Sequence, residues 1–143
     1  MKKVLILITI LFAAQITQAG HHENGMTLSK RQPDTSMTIT SVNLGQDQTV
    51  ITATGDMGAY GKVYTTYNLA YNGDRKSGPV TGQGRGATAE AIAAGVFAGR
   101  WYADGSKVIM RNIVEINDGT QNLDVITFDA AKSTLEVEVY ILK

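Results

Sequence analysis

The chain has 143 residues, a formal net charge of zero, two histidines and no cysteine. This length suits a single domain with its own hydrophobic core. The balanced charge argues against binding to nucleic acid through a basic surface, and the lack of cysteine excludes disulfides and thiolate metal sites.

The N-terminus predicts a secretory signal peptide over residues 1–19. Lys2 and Lys3 precede the apolar run 4–14, which is too short to span a bilayer, and small residues precede a cleavage point after Ala19. We therefore expect a secreted or periplasmic protein without an integral membrane span once the signal is removed. An uncleaved anchor is the alternative.

Residues 20–35 are polar and show no hydrophobic period, which predicts a flexible leader before a domain at 36–143. Cleavage after Ala19 would place His22 third in the mature chain. An N-terminal amine, two amides and a third-position imidazole form a square-planar site for Cu(II) or Ni(II). Any third-position histidine would do the same, so we expect no metal or cofactor in the function of the domain.

From residue 36 onward, β-branched and aromatic residues alternate with polar ones. The clearest segment is 62–71, where Val63, Tyr67 and Leu69 share one face, and Asn72-Gly73 follows as a turn. Such segments recur between turn signals along the rest of the chain. They predict eight strands, at 36–44, 49–54, 62–71, 79–86, 95–103, 106–117, 121–129 and 133–142.

The central stretch from Pro79 to Asp104 is rich in glycine and allows two interpretations. Gly82 to Ala87 fits G-x-G-x-x-A, with Asp104 where an acid that binds a ribose would stand. However, the chain lacks the βαβ alternation of a dinucleotide-binding fold. Two glycine-rich strands, joined by a connection over 87–94 with one helical turn, fit better.

These strands predict an all-β protein, a single antiparallel eight-stranded up-and-down β-barrel of the calycin-like kind, with glycine-rich central strands. Closure of the last strand onto an early one would remove the exposed edges. A barrel of eight strands is wide enough to be filled by side chains or to hold one small ligand.

The run Gly95-Val96-Phe97-Ala98-Gly99, with the glycine-rich strand before it, resembles the G-x-F-x-G segment of the allene oxide cyclase and dirigent barrel superfamily. The resemblance implies an exported or plastid eight-stranded barrel with an apolar cavity. It also implies cyclisation or orientation of reactive organic intermediates without a metal or cofactor. No position here matches the catalytic carboxylate of the superfamily, so no catalytic residue follows from it.

Five residues are candidates for contact with a ligand. Tyr67 and Tyr71 share a face of the third strand and could stack on a small molecule, although ordinary core packing also explains them. Asn112 lies amid apolar residues and needs a hydrogen-bond partner or a ligand. Trp101 and Arg100, on the fifth strand, complete the set.

Three charges stand in the middle of strands: Arg100, Arg111 and Asp124. An inward Arg–Asp pair would mark a site, because a buried charge requires a partner. Charges at such positions more often face solvent, and we expect that here.

The sequence therefore favours an exported barrel that binds a small apolar or amphipathic molecule in its cavity. A cofactor-free cyclase or isomerase, as the resemblance implies, and a structural envelope protein with a filled barrel are the alternatives. A carboxylate or arginine in the cavity next to Tyr67 or Asn112 would favour the enzyme. The sequence leaves the ligand and a homo-oligomeric state open.

Overall fold

The structure, a computed structural model, describes residues 28–143. The predicted signal peptide at 1–19 and the N-terminal metal site at His22 lie outside the described residues. Eight strands follow one another along the chain: β1 (Thr35–Leu44), β2 (Gln48–Asp56), β3 (Lys62–Ala70), β4 (Ser77–Ala87), β5 (Ile92–Asp104), β6 (Lys107–Ile116), β7 (Gln121–Asp129) and β8 (Thr134–Ile141).

The strands form one closed barrel in chain order, and every neighbouring pair is antiparallel. Closure is made by β1 and β8, where Thr35 to Met37 pair with Val137 to Leu135. The predicted eight-stranded up-and-down barrel is confirmed. Within residues 28–143, no helix has the length and apolarity needed to cross a bilayer.

The central glycine-rich stretch forms β4 and β5, which pair along their whole length. Gly82 and Ala87 lie within β4, so this run is not a phosphate-binding loop before a helix. The connection is shorter than the expected 87–94, because β5 already begins at Ile92. Pairing of Ala94 with Arg85 continues the sheet there, so tertiary pairing overrides the helix propensity of alanine.

The two ends of the barrel differ in how they are filled. The end at the turns 45–47, 71–76, 105–106 and 130–133 is here called the packed end, and the opposite end the cavity end. Toward the packed end, Val80, Met110, Ile126 and Leu135 are fully buried. Burial of such side chains stabilises a fold by roughly 1.5–3 kcal/mol each.

Glycines on β4 and β5 make room inside the barrel for large side chains of the next strand. The ring of Phe97 lies over Gly82, and the amide of Asn112 lies over Gly99. A β-carbon at either glycine would overlap these side chains and the backbone of the adjacent strand. The interior of an eight-stranded barrel is narrow, so these close approaches decide which side chains fit.

The last residues of the segment that the sequence assigns to the leader lie against the barrel. The Arg31 amide donates a hydrogen bond to the Val139 carbonyl at 2.8 Å, and the Ile141 amide donates to the Ser29 carbonyl at 2.9 Å. Residues 28–34 thereby extend along β8 to the cavity end. A 3-10 turn, Gly58–Tyr60, joins β2 to β3 at the same end.

Candidate functional site

A cavity of about 70 Å³ opens inside the cavity end of the barrel. Its walls are mostly apolar and include Val63, Phe97, Val114 and Val139. Gly84 also lines it, and a β-carbon there would meet no atom closer than 3.6 Å. The cavity exists because this glycine, unlike Gly82 two residues before it, has no large side chain packed over it.

Asp124 of β7 faces this cavity. Its side chain is half-buried, and Oδ1 is fully buried without a hydrogen-bond partner among residues 28–143. Burial raises the pKa of this carboxyl from 3.8 to about 7, because desolvation disfavours the charged form. The group therefore exchanges its proton near neutral pH.

Asn112 of β6 lies directly opposite Asp124 in the β6–β7 ladder, next to the packed core. Only 1% of the residue is exposed. Neither Oδ1 nor Nδ2 has a hydrogen-bond partner among the described residues. A buried, unpaired amide is costly, so Asn112 is an unsatisfied polar group that lies beside Asp124 but does not itself line the cavity.

Tyr67 of β3 lines the same cavity from the wall of the barrel opposite β7. Its ring lies 5.2 Å from that of Phe97 between centroids, and both rings line the cavity. Burial, with a further contribution from the charge of Asp124, raises the pKa of Tyr67 well above its usual range. Tyr67 therefore remains a protonated phenol and can donate a hydrogen bond into the cavity.

The rim of the cavity is held by three side chains from separate segments. Arg31 Nε donates to Asn122 Oδ1 at 2.6 Å, and Asn122 Nδ2 donates to the Tyr60 hydroxyl at 3.0 Å. A second guanidinium nitrogen of Arg31 donates to the Lys143 carbonyl at 2.9 Å. These bonds fix the N-terminal segment and the 3-10 turn beside the opening.

The five candidate ligand contacts fall in three places. Tyr67 lines the cavity, whereas Asn112 does not line it and lies buried beside Asp124. Tyr71 and Trp101 pack together toward the packed end, at 6.1 Å between ring centroids, and Trp101 Nε1 donates to the Ala70 carbonyl. Arg100 is exposed on the outer face of β5, so it does not line the interior.

The expectation that Asp124 faces solvent is wrong, and Asp124 is the polar group that the sequence analysis missed. Both faces of β7 carry apolar residues, so alternation alone did not orient the strand. The turn at 117–119 offered a signal. A hairpin closed there pairs position 124 with Asn112, and paired residues share a face.

Replacing Asn112 by leucine, which has nearly the same shape, should stabilise the protein by about 1–3 kcal/mol. The change removes two buried polar atoms that lack partners and adds apolar contacts. Urea unfolding monitored by circular dichroism measures the difference. A less stable variant would show that the amide is hydrogen-bonded in solution.

Residues 28–143 hold no group of three His, Cys, Asp or Glu side chains placed to bind a metal ion. The chain matches no protein-family model, and no characterised protein or solved structure matches it. What the site can do chemically therefore rests on its own geometry: an apolar cavity in a closed β-barrel, with the Asp124 carboxyl and the Tyr67 phenol among its lining groups.

Proposed function

We propose that this protein is exported and binds a small amphipathic molecule whose polar end enters the cavity beside Asp124. The single observation that carries the proposal is the Asp124 carboxyl, which lines a mostly apolar cavity and whose Oδ1 has no hydrogen-bond partner among the described residues. A ligand that hydrogen-bonds to this carboxyl would offset the cost of its burial. Export is inferred from the apolar segment at the N-terminus.

The size of the cavity limits how much of the ligand is enclosed. Its volume of about 70 Å³ is less than the roughly 150 Å³ that encloses benzene in an engineered protein. A head of a few atoms fits beside Asp124, and an apolar tail would extend toward the cavity end of the barrel. The ligand class is therefore a small polar head on a hydrocarbon tail.

Filling the cavity with Gly84→Val should abolish ligand binding while the barrel still folds. A β-carbon at Gly84 would make only ordinary contacts, so valine fits there. Its methyl groups would fill the part of the cavity that the ligand head would otherwise occupy. Native mass spectrometry of the protein purified from its own envelope fraction should show a bound small molecule in the wild type and none in the variant.

The matched control is Thr81→Leu, which adds bulk at an exposed position of the same strand and should keep the ligand. A wild-type mass without any bound molecule would favour the alternative, a structural envelope protein. An equal ligand load in Gly84→Val would place the ligand outside the cavity.

A cofactor-free isomerase or cyclase is the second candidate, and one observation favours it. Asp124, with its pKa near 7, borders the same space as the Tyr67 phenol. A carboxyl that exchanges protons near neutral pH can act as a general acid or base. The resemblance of Gly95 to Gly99 to the allene oxide cyclase and dirigent superfamily supports the same class of reaction.

The two functions differ in what Asp124→Asn does. An enzyme would lose turnover of its substrate, whereas a binding protein has no turnover to lose. A substrate converted by the wild type and bound unchanged by the variant would establish the enzyme. Equal conversion by both proteins would exclude Asp124 from the chemistry.

A further inference from the structure

Asp124 is the charged side chain that faces the inside of the cavity. Arg85 is the other charged residue among the described residues that line it. Arg85 is exposed on the outer face of β4, where its guanidinium donates to the Gly84 carbonyl at 2.9 Å and to Gln83 Oε1 at 3.3 Å. The described residues therefore provide no cation within the cavity to balance an ionised Asp124.

Among residues 28–143, the elements packed around Asp124 present no cation within the cavity that would neutralise it. β6 contributes Asn112 and β8 contributes Val139, both uncharged. β3 contributes Tyr67, whose phenol stays protonated, and the 3-10 turn contributes Tyr60, whose hydroxyl accepts a hydrogen bond from Asn122. Arg31 lies at the rim, but two of its guanidinium nitrogens already donate to Asn122 and the Lys143 carbonyl.

The remaining features of the cavity suit a positively charged head. Asp124 supplies the acceptor, as the one carboxyl among the described residues that line the cavity. The rings of Tyr67 and Phe97 line the same space, and aromatic faces attract cations. An ammonium group needs acceptors and π-faces, whereas an anionic head would be repelled by Asp124.

We propose that the ligand head is a protonated amine, held by the Asp124 carboxylate against the rings of Tyr67 and Phe97. This inference rests on the proposed function and adds the chemical class of the ligand. An alkylamine fits both parts of the site, since its ammonium pairs with Asp124 and its chain contacts the apolar walls.

The test compares n-hexylamine with n-hexanol, which have the same chain but differ in charge. We expect isothermal titration with the full mature chain at about pH 8 to show roughly tenfold tighter binding of the amine, from one buried charge pair. Asp124→Asn should abolish this preference while hexanol still binds. Glu115→Gln, which removes a carboxylate from the outer face of β6, should leave it unchanged.

The pH dependence gives a second readout. Hexylamine affinity should fall as the pH drops through about 7, because Asp124 takes up a proton there, whereas hexanol affinity should stay level. Equal binding of both molecules, or a preference that survives Asp124→Asn, would overturn the amine head but leave a ligand-binding cavity. Failure of both molecules to bind the wild type would overturn the amine inference and the proposed function together.

Discussion

Asp124→Asn is expected to stabilise the folded protein by up to roughly 4 kcal/mol at about pH 8. Burial raises the pKa of this carboxyl from 3.8 in the unfolded chain to about 7 in the fold, and each pH unit between the two values corresponds to about 1.36 kcal/mol. The figure is an upper limit because Asp124 is partly accessible through the cavity. Asparagine keeps the shape of the side chain and carries no charge.

The pH profile separates this cause from a general effect on packing. Between pH 3.8 and about 7, the folded protein keeps a proton on Asp124 that the unfolded chain has released. The stability of the wild type therefore falls as the pH rises through this window and is level above it. The variant lacks this component, so the difference in stability should be small below pH 3.8 and full above about pH 7.

Urea unfolding of both proteins across this pH range provides the measurement, with Glu115→Gln as the control. Glu115 is exposed on the outer face of β6, so its neutralisation should change stability little at any pH. If the asparagine variant is no more stable than the wild type at pH 8, then the folded protein supplies Asp124 with a partner. A stabilising change at this position would be typical of a residue kept for function.

The strands were predictable because their signals are local. Alternation with period two and the Asn72-Gly73 turn depend on neighbours in the sequence, and the β3 face with Val63, Tyr67 and Leu69 inside is confirmed. The start of β5 was harder to predict from the sequence. Ala93 and Ala94 favour a helix locally and become strand only through pairing with β4, which lies outside a short window.

The site was only partly predictable, because some of its features depend on strand pairing rather than on neighbours in the sequence. Asn112 stood out because a polar residue interrupts an apolar alternation on β6. Asp124 did not, since its inward orientation depends on the register between β6 and β7. The size of the cavity depends on which glycines are covered by a neighbouring side chain, and composition cannot distinguish Gly82 from Gly84.

That distinction leads to the second large effect. Gly82→Ala should destabilise the barrel by at least about 3 kcal/mol, at the upper end of the range for overpacked cores. A β-carbon at Gly82 would overlap the Thr66 carbonyl oxygen and the ring of Phe97. The ring is confined by Tyr67, and the carbonyl belongs to the β3–β4 ladder, so neither can move without loss of packing or hydrogen bonds.

Gly84→Ala is the matched control, because it makes the same chemical change two residues further along the same strand. Its β-carbon would meet the Tyr64 carbonyl oxygen at 3.6 Å and the Thr65 side chain at 3.8 Å, which are ordinary contacts. Stability should stay the same or rise slightly, since alanine restricts the unfolded chain more than glycine does. If thermal unfolding shows that both substitutions reduce stability equally, then glycines in these strands are needed for their backbone conformation in general. A loss at Gly82 alone would show that the packing of Phe97 over β4 specifies the interior of the barrel and, with it, the position of the cavity.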